Sequence, residues 1–193
     1  MTVEYQMEVA EEILEKLESF DPTCILAGGA PRDWYFGNVA SDLDFFVYFR
    51  PDLQSFYAEN VLEKVGLDMN IKGADTFPAH YKRNPHLKSV YQGVYKGEIV
   101  QVMFMDQPTF NCVVDLFPFG ICQAWWKGKK HTWNNEEIHV TRDFKASVKN
   151  KILLVLNELY NDEDGYIQKI RNKFPDFEFY PNFKSYSESI LYA

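Results

Sequence analysis

The sequence has no long hydrophobic run, little cysteine and fewer basic than acidic residues, and each shortage excludes a class of protein. No apolar segment approaches the roughly twenty residues that a membrane-spanning helix needs, and the N-terminal stretch MTVEYQMEVAEEILEKL lacks the basic and apolar regions of a secretory signal. The three cysteines, Cys24, Cys112 and Cys122, form no CxxC motif and are too few for a disulfide framework. We therefore expect a soluble, cytoplasmic protein with no membrane partner, no disulfide scaffold and no structural zinc site.

The charge balance limits how the protein can contact nucleic acid. Acidic residues outnumber basic residues by 28 to 20, and the formal net charge is -8. Because nucleic-acid backbones are bound largely by lysine and arginine, this balance argues against a broad, non-specific nucleic-acid surface. Any RNA contact would come from a local basic patch, and the strongest is KGKKH at Lys127–His131. Neighbouring tryptophans could stack on a base there, although a solvated turn has the same composition.

Length and apolar content together predict one domain. Of the 193 residues, 46% are apolar and 17% are aromatic, which is enough for a sizeable core. Apolar residues recur at helical spacing over Val3–Phe20 and alternate over Asp42–Tyr48, so helices and strands follow one another along the first part of the chain. We place the core at about residues 1–142 and a helical, aromatic-rich extension at about 143–193. In that extension, the spacing predicts a helix from Asp143 to about Tyr160.

Two further elements are predicted from local pattern. A shorter helix runs from Asp162 to Phe174, before Pro175. Residues on either side of Lys96-Gly97 alternate as in a β-hairpin, and its second strand is so strongly apolar that we expect it to be central in a sheet.

The densest group of chemically informative residues lies between Ile25 and Phe46, in ILAGGAPRDWYFGNVASDLDFF. A short apolar run, predicted to be a buried strand, ends at Gly28 and Gly29, where the backbone can lie close to a ligand. Pro31 favours the first turn of a helix, whose N-terminus would carry partial positive charge beside the glycines. Such a turn is suited to binding phosphate through backbone N–H groups.

Two carboxylates follow at alternate positions, Asp42 and Asp44. In the strand predicted over Asp42–Tyr48, side chains alternate between the two faces, so both carboxylates lie on one face. Neighbouring carboxylates repel each other unless a cation lies between them. A pair of Mg²⁺ ions that bridges an attacking oxygen and a triphosphate needs such a platform. Asp42 and Asp44 are therefore the candidate metal ligands and catalytic residues.

This segment resembles the signature of the nucleotidyltransferase superfamily. The form is that of the head domain of class II tRNA nucleotidyltransferases (CCA-adding enzymes) and bacterial poly(A) polymerases: GG, two residues, RD, three residues, G, four residues, DxD. Every spacing is met, by Gly28, Gly29, Arg32, Asp33, Gly37, Asp42 and Asp44. The resemblance implies an α+β nucleotidyltransferase (polymerase β-like) fold, with a mixed β-sheet flanked by helices and further helices at the C-terminus.

The resemblance also implies a reaction. With Mg²⁺ or Mn²⁺, the protein would transfer a nucleoside monophosphate from an NTP to an acceptor hydroxyl, in RNA or tRNA for example, and release pyrophosphate. Gly28 and Gly29 would bind phosphate oxygens, Arg32 would pair with the triphosphate, and Asp33 would hold Arg32 or a helix end. Enzymes of the family that add CCA or poly(A) continue into further helical domains, so we expect this chain to be a head domain on its own.

One departure from the family's pattern concerns the charge of the site. A family strand carries a further carboxylate in a pattern like EIIEV, and the matching position in GEIVQVMFMD is Gln101, an amide. A third metal ligand would then come from Asp115 or Asp106, and we prefer Asp115. Its alternative role is that of an ordinary loop or edge-strand carboxylate.

A second, partial match lies later in the chain. The segment TRDFKAS at Thr141–Ser147 resembles the family's RRDFTINA and matches at Arg142, Asp143 and Phe144. It implies a nucleotide-binding role for Arg142 and Asp143, although Asp143 would also serve as the cap of the following helix. Candidate contacts to a base or an acceptor are the amides and lysines Gln101, Gln123, Lys129 and Lys130.

Three functions remain open at this point. The first is an active nucleotidyltransferase that acts on RNA or another acceptor. The second is a catalytically degenerate relative that binds a nucleotide or a partner, which the amide at Gln101 suggests. The third is a toxin-type or phage-type transferase that modifies a protein or a specific tRNA, which the small size suggests.

Overall fold

The computed structural model describes residues 2–48, 57–72, 84–107, 113–132, 136–156 and 165–180. The helices are α1 (Val3–Glu18), α2 (Gly29–Tyr35), α3 (Tyr57–Lys64), α4 (Arg142–Asn150) and α5 (Tyr166–Lys173). The strands are β1 (Ile25–Ala27), β2 (Leu43–Tyr48), β3 (Asn70–Lys72), β4 (Leu87–Tyr95), β5 (Glu98–Met105), β6 (Ala124–Trp126), β7 (Ile138–Val140), β8 (Ile152–Leu154) and β9 (Glu178–Tyr180). No helix within these ranges is long and apolar enough to cross a membrane.

A mixed β-sheet forms the centre of the described structure. Its strand order is β3-β4-β5-β2-β1-β6-β7. Strands β2 and β5 are parallel, and the other neighbours in the sheet pair antiparallel. The hairpin predicted around Lys96-Gly97 is formed by β4 and β5, and β5 is a central strand as its apolar sequence indicates. The α+β class and the mixed sheet flanked by helices are therefore confirmed.

Helices α1 and α3 cover one face of this sheet. The apolar stripe of α1 includes Ile13, Leu14 and Leu17, which are buried against inward residues of β2 such as Phe45 and Val47. The Thr2 side chain caps α1 by accepting a hydrogen bond from the Tyr5 N–H. Since successive strand residues point to opposite faces, the residues next to Phe45 point away from α1. Asp44 is one of them.

The opposite face carries a smaller apolar cluster and leaves space beside it. Phe46 on β2 and Met103 on β5 are in register on this face. They pack with Val113 and Val114 and with the partly buried Phe117. The chain from Val113 to Phe117 contains a short 3-10 turn and lies over this end of the cluster. The candidate site opens on this face, where the helices α1 and α3 do not reach.

The helix predicted from Asp143 to about Tyr160 is wrong in its length. Helix α4 ends at Asn150, because Lys151 takes a left-handed conformation with φ 52° and the chain turns into β8. Strand β8 pairs in parallel with β9, near residue 180, a partner that local periodicity cannot reveal. The cap also differs: the Thr141 side chain, not that of Asp143, accepts the Phe144 N–H. Residues 157–160 of the predicted helix lie outside the described residues.

The C-terminal elements pack on the sheet domain through their own cluster. Phe144 of α4, Leu153 of β8 and Ile170 of α5 are buried together with Phe119 and Ile121, which precede β6. Helix α5 is the shorter second helix that the sequence predicts before Pro175. Residues 181–193 of the aromatic-rich tail lie outside the described residues. The packing of α5 matters for the site, because it brings this helix beside the signature segment.

A fully buried glutamine fixes the loop that leads to the two carboxylates. The Gln6 amide nitrogen donates to the Ala40 carbonyl at 3.0 Å and to the Glu98 carboxylate at 2.7 Å. Its oxygen accepts from the Ala40 N–H at 2.8 Å and from the Trp34 ring N–H at 3.1 Å. Every donor and acceptor of this amide is thus used. Gln6 holds Ala40, two residues before Asp42, against both α1 and β5.

Replacing Gln6 with leucine is expected to destabilise the fold. The Gln6→Leu variant leaves the Glu98 carboxylate, the Trp34 N–H and the Ala40 backbone without their buried partner, at a cost of about 3 kcal/mol or more. Chemical denaturation followed by circular dichroism measures the free energy of unfolding. Glu8→Leu, at an exposed position of the same helix, is the control and should change it by less than about 0.5 kcal/mol. Equal stability of the two variants would show that the Gln6 network contributes nothing.

Candidate active site

A cleft opens on the sheet face away from α1, and the signature residues line it. Its walls come from the turn before α2, from α2 itself, from the start of β2, from the 3-10 turn near Val114 and from α5. Six of the lining residues carry the chemistry discussed below: Gly29, Arg32, Asp33, Asp42, Asp44 and Lys169. The sequence therefore placed the glycine turn, the Arg-Asp pair and the carboxylates in one motif, and the fold brings them to one cavity.

The two glycines at the start of α2 have different roles. Gly28 has a positive φ of 86°, and a Cβ atom at this position would lie 3.3 Å from the Phe117 ring. Its N–H donates to the Ala124 carbonyl at 2.9 Å, which continues the pairing of β1 with β6. Of the two N–H groups predicted to bind phosphate, that of Gly28 is therefore already used. The Gly29 N–H, in the first turn of α2, is the one that remains for a ligand.

Arg32 and Asp33 form a buried ionic network that ties α2 to α5. Arg32 is 4% exposed, and its Nε donates to Asp33 Oδ1 at 2.9 Å. Its Nη1 lies 3.4 Å from the Cys122 thiol. The second oxygen of Asp33 accepts a hydrogen bond from Lys173 on α5. Asp33 thus pairs with both Arg32 and Lys173.

The charge of Arg32 is secured by these neighbours. Burial lowers the pKa of a guanidinium, but Cys122, Asp33 and Tyr166 around it act in the opposite direction and prevail, so the pKa of Arg32 lies above its ordinary value. A Cβ atom at Gly29 would lie 3.9 Å from Arg32 Nη2, so this nitrogen is beside the glycine turn. The cleft therefore has a fixed positive charge where the turn ends.

Asp42 and Asp44 lie at the start of β2, next to Gln101. Asp42 Oδ1 accepts a hydrogen bond from the Ser41 hydroxyl at 2.8 Å, and Asp42 Oδ2 lies 3.5 Å from Gln101 Nε2. Asp44 is in register with Gln101 on the parallel strand β5, so the two side chains stand on the same face. The amide of Gln101, the position matched to the family's further carboxylate, is therefore a neighbour of both Asp42 and Asp44.

The described structure is similar to solved tRNA nucleotidyltransferases. The CCA-adding enzyme of Thermotoga maritima, complexed with tRNA, matches with a TM-score of 0.59 and 16% identity, over 94% of this chain and 40% of that one. A CCA-adding enzyme in complex with CTP matches with a TM-score of 0.58 and 16% identity, over 94% and 40%. A tRNA nucleotidyltransferase complexed with a primer tRNA and an incoming ATP analog matches with a TM-score of 0.52 and 14% identity, over 84% and 44%.

The chain has a nucleotidyltransferase fold. It spans about two fifths of the length of the enzymes it matches, and at this level of identity the likeness concerns the fold. Neither a protein-family profile nor a curated protein matches the sequence.

Neither Asp106 nor Asp115, the candidates for a third carboxylate, lines the cleft with Asp42 and Asp44. Asp106 is five residues beyond Gln101, a distance of roughly 16 Å along β5. Burial raises its pKa, but hydrogen bonds from Lys88 and His86 outweigh this, so the pKa of Asp106 lies below its ordinary value. Asp115 is exposed on the 3-10 turn, and only its neighbours line the cleft. Within the described ranges no group of three or more His, Cys, Asp or Glu side chains is placed to hold a metal ion.

The second motif does not line the cleft. Arg142 is exposed in the first turn of α4, and neither it nor Asp143 is among the lining residues. Gln123 is buried and accepts a hydrogen bond from the Thr141 hydroxyl at 2.7 Å, which anchors the start of α4. These residues thus fix the junction between β6, β7 and α4.

The basic patch is placed on another side of the nucleotidyltransferase fold, against α1. Lys130 Nζ lies 2.6 Å from Glu15, and the Lys129 N–H donates to Glu11 at 2.8 Å. Lys127 is paired with Glu18 at 2.6 Å. The charges of Lys127 and Lys130 are therefore paired with acidic residues of α1, whereas Lys129 contacts α1 through its backbone N–H. Neither Lys129 nor Lys130 lines the cleft.

Helix α5 supplies cleft residues that the sequence did not predict. Tyr166, Lys169, Ile170 and Lys173 follow one another at helical spacing and all line the cleft. Lys173 is paired with Asp33, whereas Lys169 is exposed and has no ion pair within the described residues. The spacing identifies one face of a helix, but only the packing of α5 shows that this face meets the signature.

Adding a methyl group at Gly28 should strain the turn more than adding one at Gly37. Both glycines have positive φ, which costs an alanine about 1 kcal/mol, but only Gly28→Ala also meets a ring, that of Phe117. We expect losses in the free energy of unfolding of about 2 kcal/mol for Gly28→Ala and about 1 kcal/mol for Gly37→Ala. Urea denaturation of both variants measures the difference. A smaller loss for Gly28→Ala would contradict the tight contact with Phe117.

Proposed function

We propose that this chain is a metal-dependent nucleotidyltransferase that transfers a nucleoside monophosphate from an NTP to an acceptor hydroxyl and releases pyrophosphate. The observation that carries the proposal is the convergence of Asp42 and Asp44 with the glycine turn and Arg32 in one cleft. A glycine turn alone, or two carboxylates alone, would fit many functions. Their common cavity, in a fold shared with tRNA nucleotidyltransferases, favours this one.

The residues present fit a divalent cation. The carboxylates of Asp42 and Asp44 offer oxygen atoms, which are the ligands that Mg²⁺ and Mn²⁺ prefer, and the buried Gln101 amide oxygen has no hydrogen-bond partner within the described residues. Asp42 and Asp44 would hold the ion. When bound, such an ion lowers the pKa of an attacking hydroxyl and neutralises a triphosphate.

The chain's own groups would orient the triphosphate. The Gly29 N–H and the first turn of α2 present partial positive charge, and Arg32 adds a guanidinium whose charge is secured by its buried neighbours. Lys169 on α5 offers a further cation in the lining of the cleft. Fixed positive groups around a triphosphate hold the α-phosphorus in place and stabilise charge that develops on the leaving pyrophosphate.

The acceptor proposed here is RNA, with tRNA as the first substrate to test. Two of the similar enzymes were solved in complex with tRNA. In this chain, the basic patch packs against α1 and does not line the cleft, so RNA would contact the cleft through other residues. A protein acceptor would be the outcome that favours a toxin-type or phage-type transferase.

Two observations favour a second candidate function. Where the family carries a further carboxylate, Gln101 brings no charge, and Arg142 of the second motif is exposed outside the cleft lining. A catalytically degenerate relative that binds a nucleotide without transferring it would have these features. Binding of an NTP without release of pyrophosphate would favour this function over the first.

Loss of either carboxylate is expected to abolish transfer. We predict that Asp42→Ala and Asp44→Ala remove incorporation of label from α-labelled NTPs into total RNA in the presence of Mg²⁺ or Mn²⁺, while circular dichroism shows an unchanged fold. Asp115→Ala is the matched control, because this carboxylate is exposed outside the cleft lining, and it should retain activity. Turnover that survives in either cleft variant would refute the assignment of the metal site.

Lys169 is expected to contribute to binding of the nucleotide and not to stability. Lys169→Met should weaken NTP affinity at least tenfold, because a charged contact to phosphate is worth about 1.5–3 kcal/mol. Equilibrium binding of a fluorescent NTP analogue measures it. Lys149→Met, at an exposed position of α4 outside the cleft lining, should leave the affinity unchanged. Similar affinities for the two variants would exclude α5 from the nucleotide site.

A further inference from the structure

We infer that the side-chain oxygen of Gln101 is a third, uncharged ligand of the divalent cation, so that this site uses two carboxylates and one amide. The inference rests on the proposed function, since it concerns the same metal site. It differs from a site with three carboxylates in the charge that surrounds the ion. It also assigns Gln101 to the metal instead of to a base or an acceptor.

The position of Gln101 is the first support. Parallel pairing of β2 with β5 places Gln101 directly beside Asp44, and the side chains of an in-register pair stand on the same face. Gln101 Nε2 lies 3.5 Å from Asp42 Oδ2, at the outer limit of a hydrogen bond. One side chain therefore adjoins both carboxylates that line the cleft.

The second support is an orphaned oxygen. Gln101 is 6% exposed, and its Oε1 is buried with no hydrogen-bond partner within the described residues. An amide oxygen buried in this way costs about 1–3 kcal/mol, and buried polar groups in folded proteins are rarely left so. Once the amide turns its Oε1 towards Asp42, a cation beside Asp42 and Asp44 would give this oxygen a partner.

The Gln101 amide can turn either its oxygen or its nitrogen towards Asp42. Oxygen and nitrogen of a glutamine side chain differ little in shape, and a half-turn about the last bond exchanges them. With Nε2 towards Asp42, the amide donates a weak hydrogen bond to the carboxylate. With Oε1 towards Asp42, two oxygens face each other, and this is favourable only with a cation between them. The side chain thus fits the carboxylate pair with and without an ion.

The ligand set explains what the amide changes chemically. Mg²⁺ and Mn²⁺ accept carbonyl oxygens beside carboxylates. Two carboxylates carry two negative charges, which balance one divalent ion, whereas three would carry a surplus. Ligand charge is one of the factors that set cation affinity. We therefore expect affinity for the ion to rise with a carboxylate at position 101 and to fall with an apolar side chain.

The test measures Mn²⁺ binding in the absence of nucleotide. Titration followed by electron paramagnetic resonance of free Mn²⁺ gives the affinity for the full chain and for each variant. Gln101→Glu should bind Mn²⁺ about tenfold more tightly, and Gln101→Leu about tenfold more weakly. Gln101→Met, which keeps an unbranched side chain, repeats the loss if the leucine variant fails to fold. Circular dichroism without metal checks the fold of each.

Gln92→Leu is the matched control. Gln92 is in register with Gln101 on β4, so it stands on the same face, one strand farther from the carboxylates. Its substitution should leave the Mn²⁺ affinity within about twofold. Gln101→Leu and Gln101→Met variants that bind as tightly as the unchanged chain would overturn the inference.

The outcomes separate this inference from the proposed function. If the Asp42→Asn, Asp44→Asn double variant kept full Mn²⁺ affinity, this result would refute the metal site and, with it, the proposed reaction. Loss of affinity in that double variant without an effect at position 101 would overturn only the role of Gln101. Graded affinities at position 101 with no NTP transfer would support the cation site and contradict the reaction.

Discussion

The parallel pairing of β2 with β5 is the constraint on which the candidate site depends. The register runs from Leu43 opposite Val100 to Tyr48 opposite Met105, and it sets Gln101 beside Asp44. Because side chains alternate, a shift of one residue would turn Gln101 towards α1 and bury an amide in the main core. Apolar residues on the helix-covered face, Phe45 and Val102 among them, hold the register. The core packing on one face thus decides which polar groups meet on the other.

The buried ionic network around Arg32 and Asp33 fixes the position of a second part of the site. Taking Arg32 and Asp33 out of water is expensive unless their charges are paired and hydrogen-bonded. The pairing needs three parts of the chain: α2 supplies both residues, the segment before β6 supplies Cys122, and α5 supplies Lys173. The requirement to satisfy these charges explains why a C-terminal helix lies against an N-terminal motif. It also makes α5 a wall of the cleft.

Much of the fold followed from local pattern, and the exceptions have physical reasons. The spacing in α1, the apolar run of β1 and the hairpin of β4 and β5 depend on neighbours in sequence, so periodicity predicted them. The strand after α4 could not be predicted from local pattern, since Ile152, Leu153 and Val155 suit a helix face as well as a strand. Lys151 in the left-handed conformation and pairing with β9 decide between the two. Neither is visible in the residues next to the turn.

The sequence by itself determined the signature, its order and its chemistry: a glycine turn, an Arg-Asp pair and two carboxylates on one face of a strand, because these depend on spacings of a few residues. Tertiary structure alone decided which other residues surround the signature. It uses the Gly28 N–H within the sheet, sets Gln101 beside the carboxylates, leaves Asp106 and Asp115 out of the cleft lining, and adds Lys169 and Lys173. The reason is that strand register and helix packing join residues far apart in the chain, and no local spacing encodes that contact.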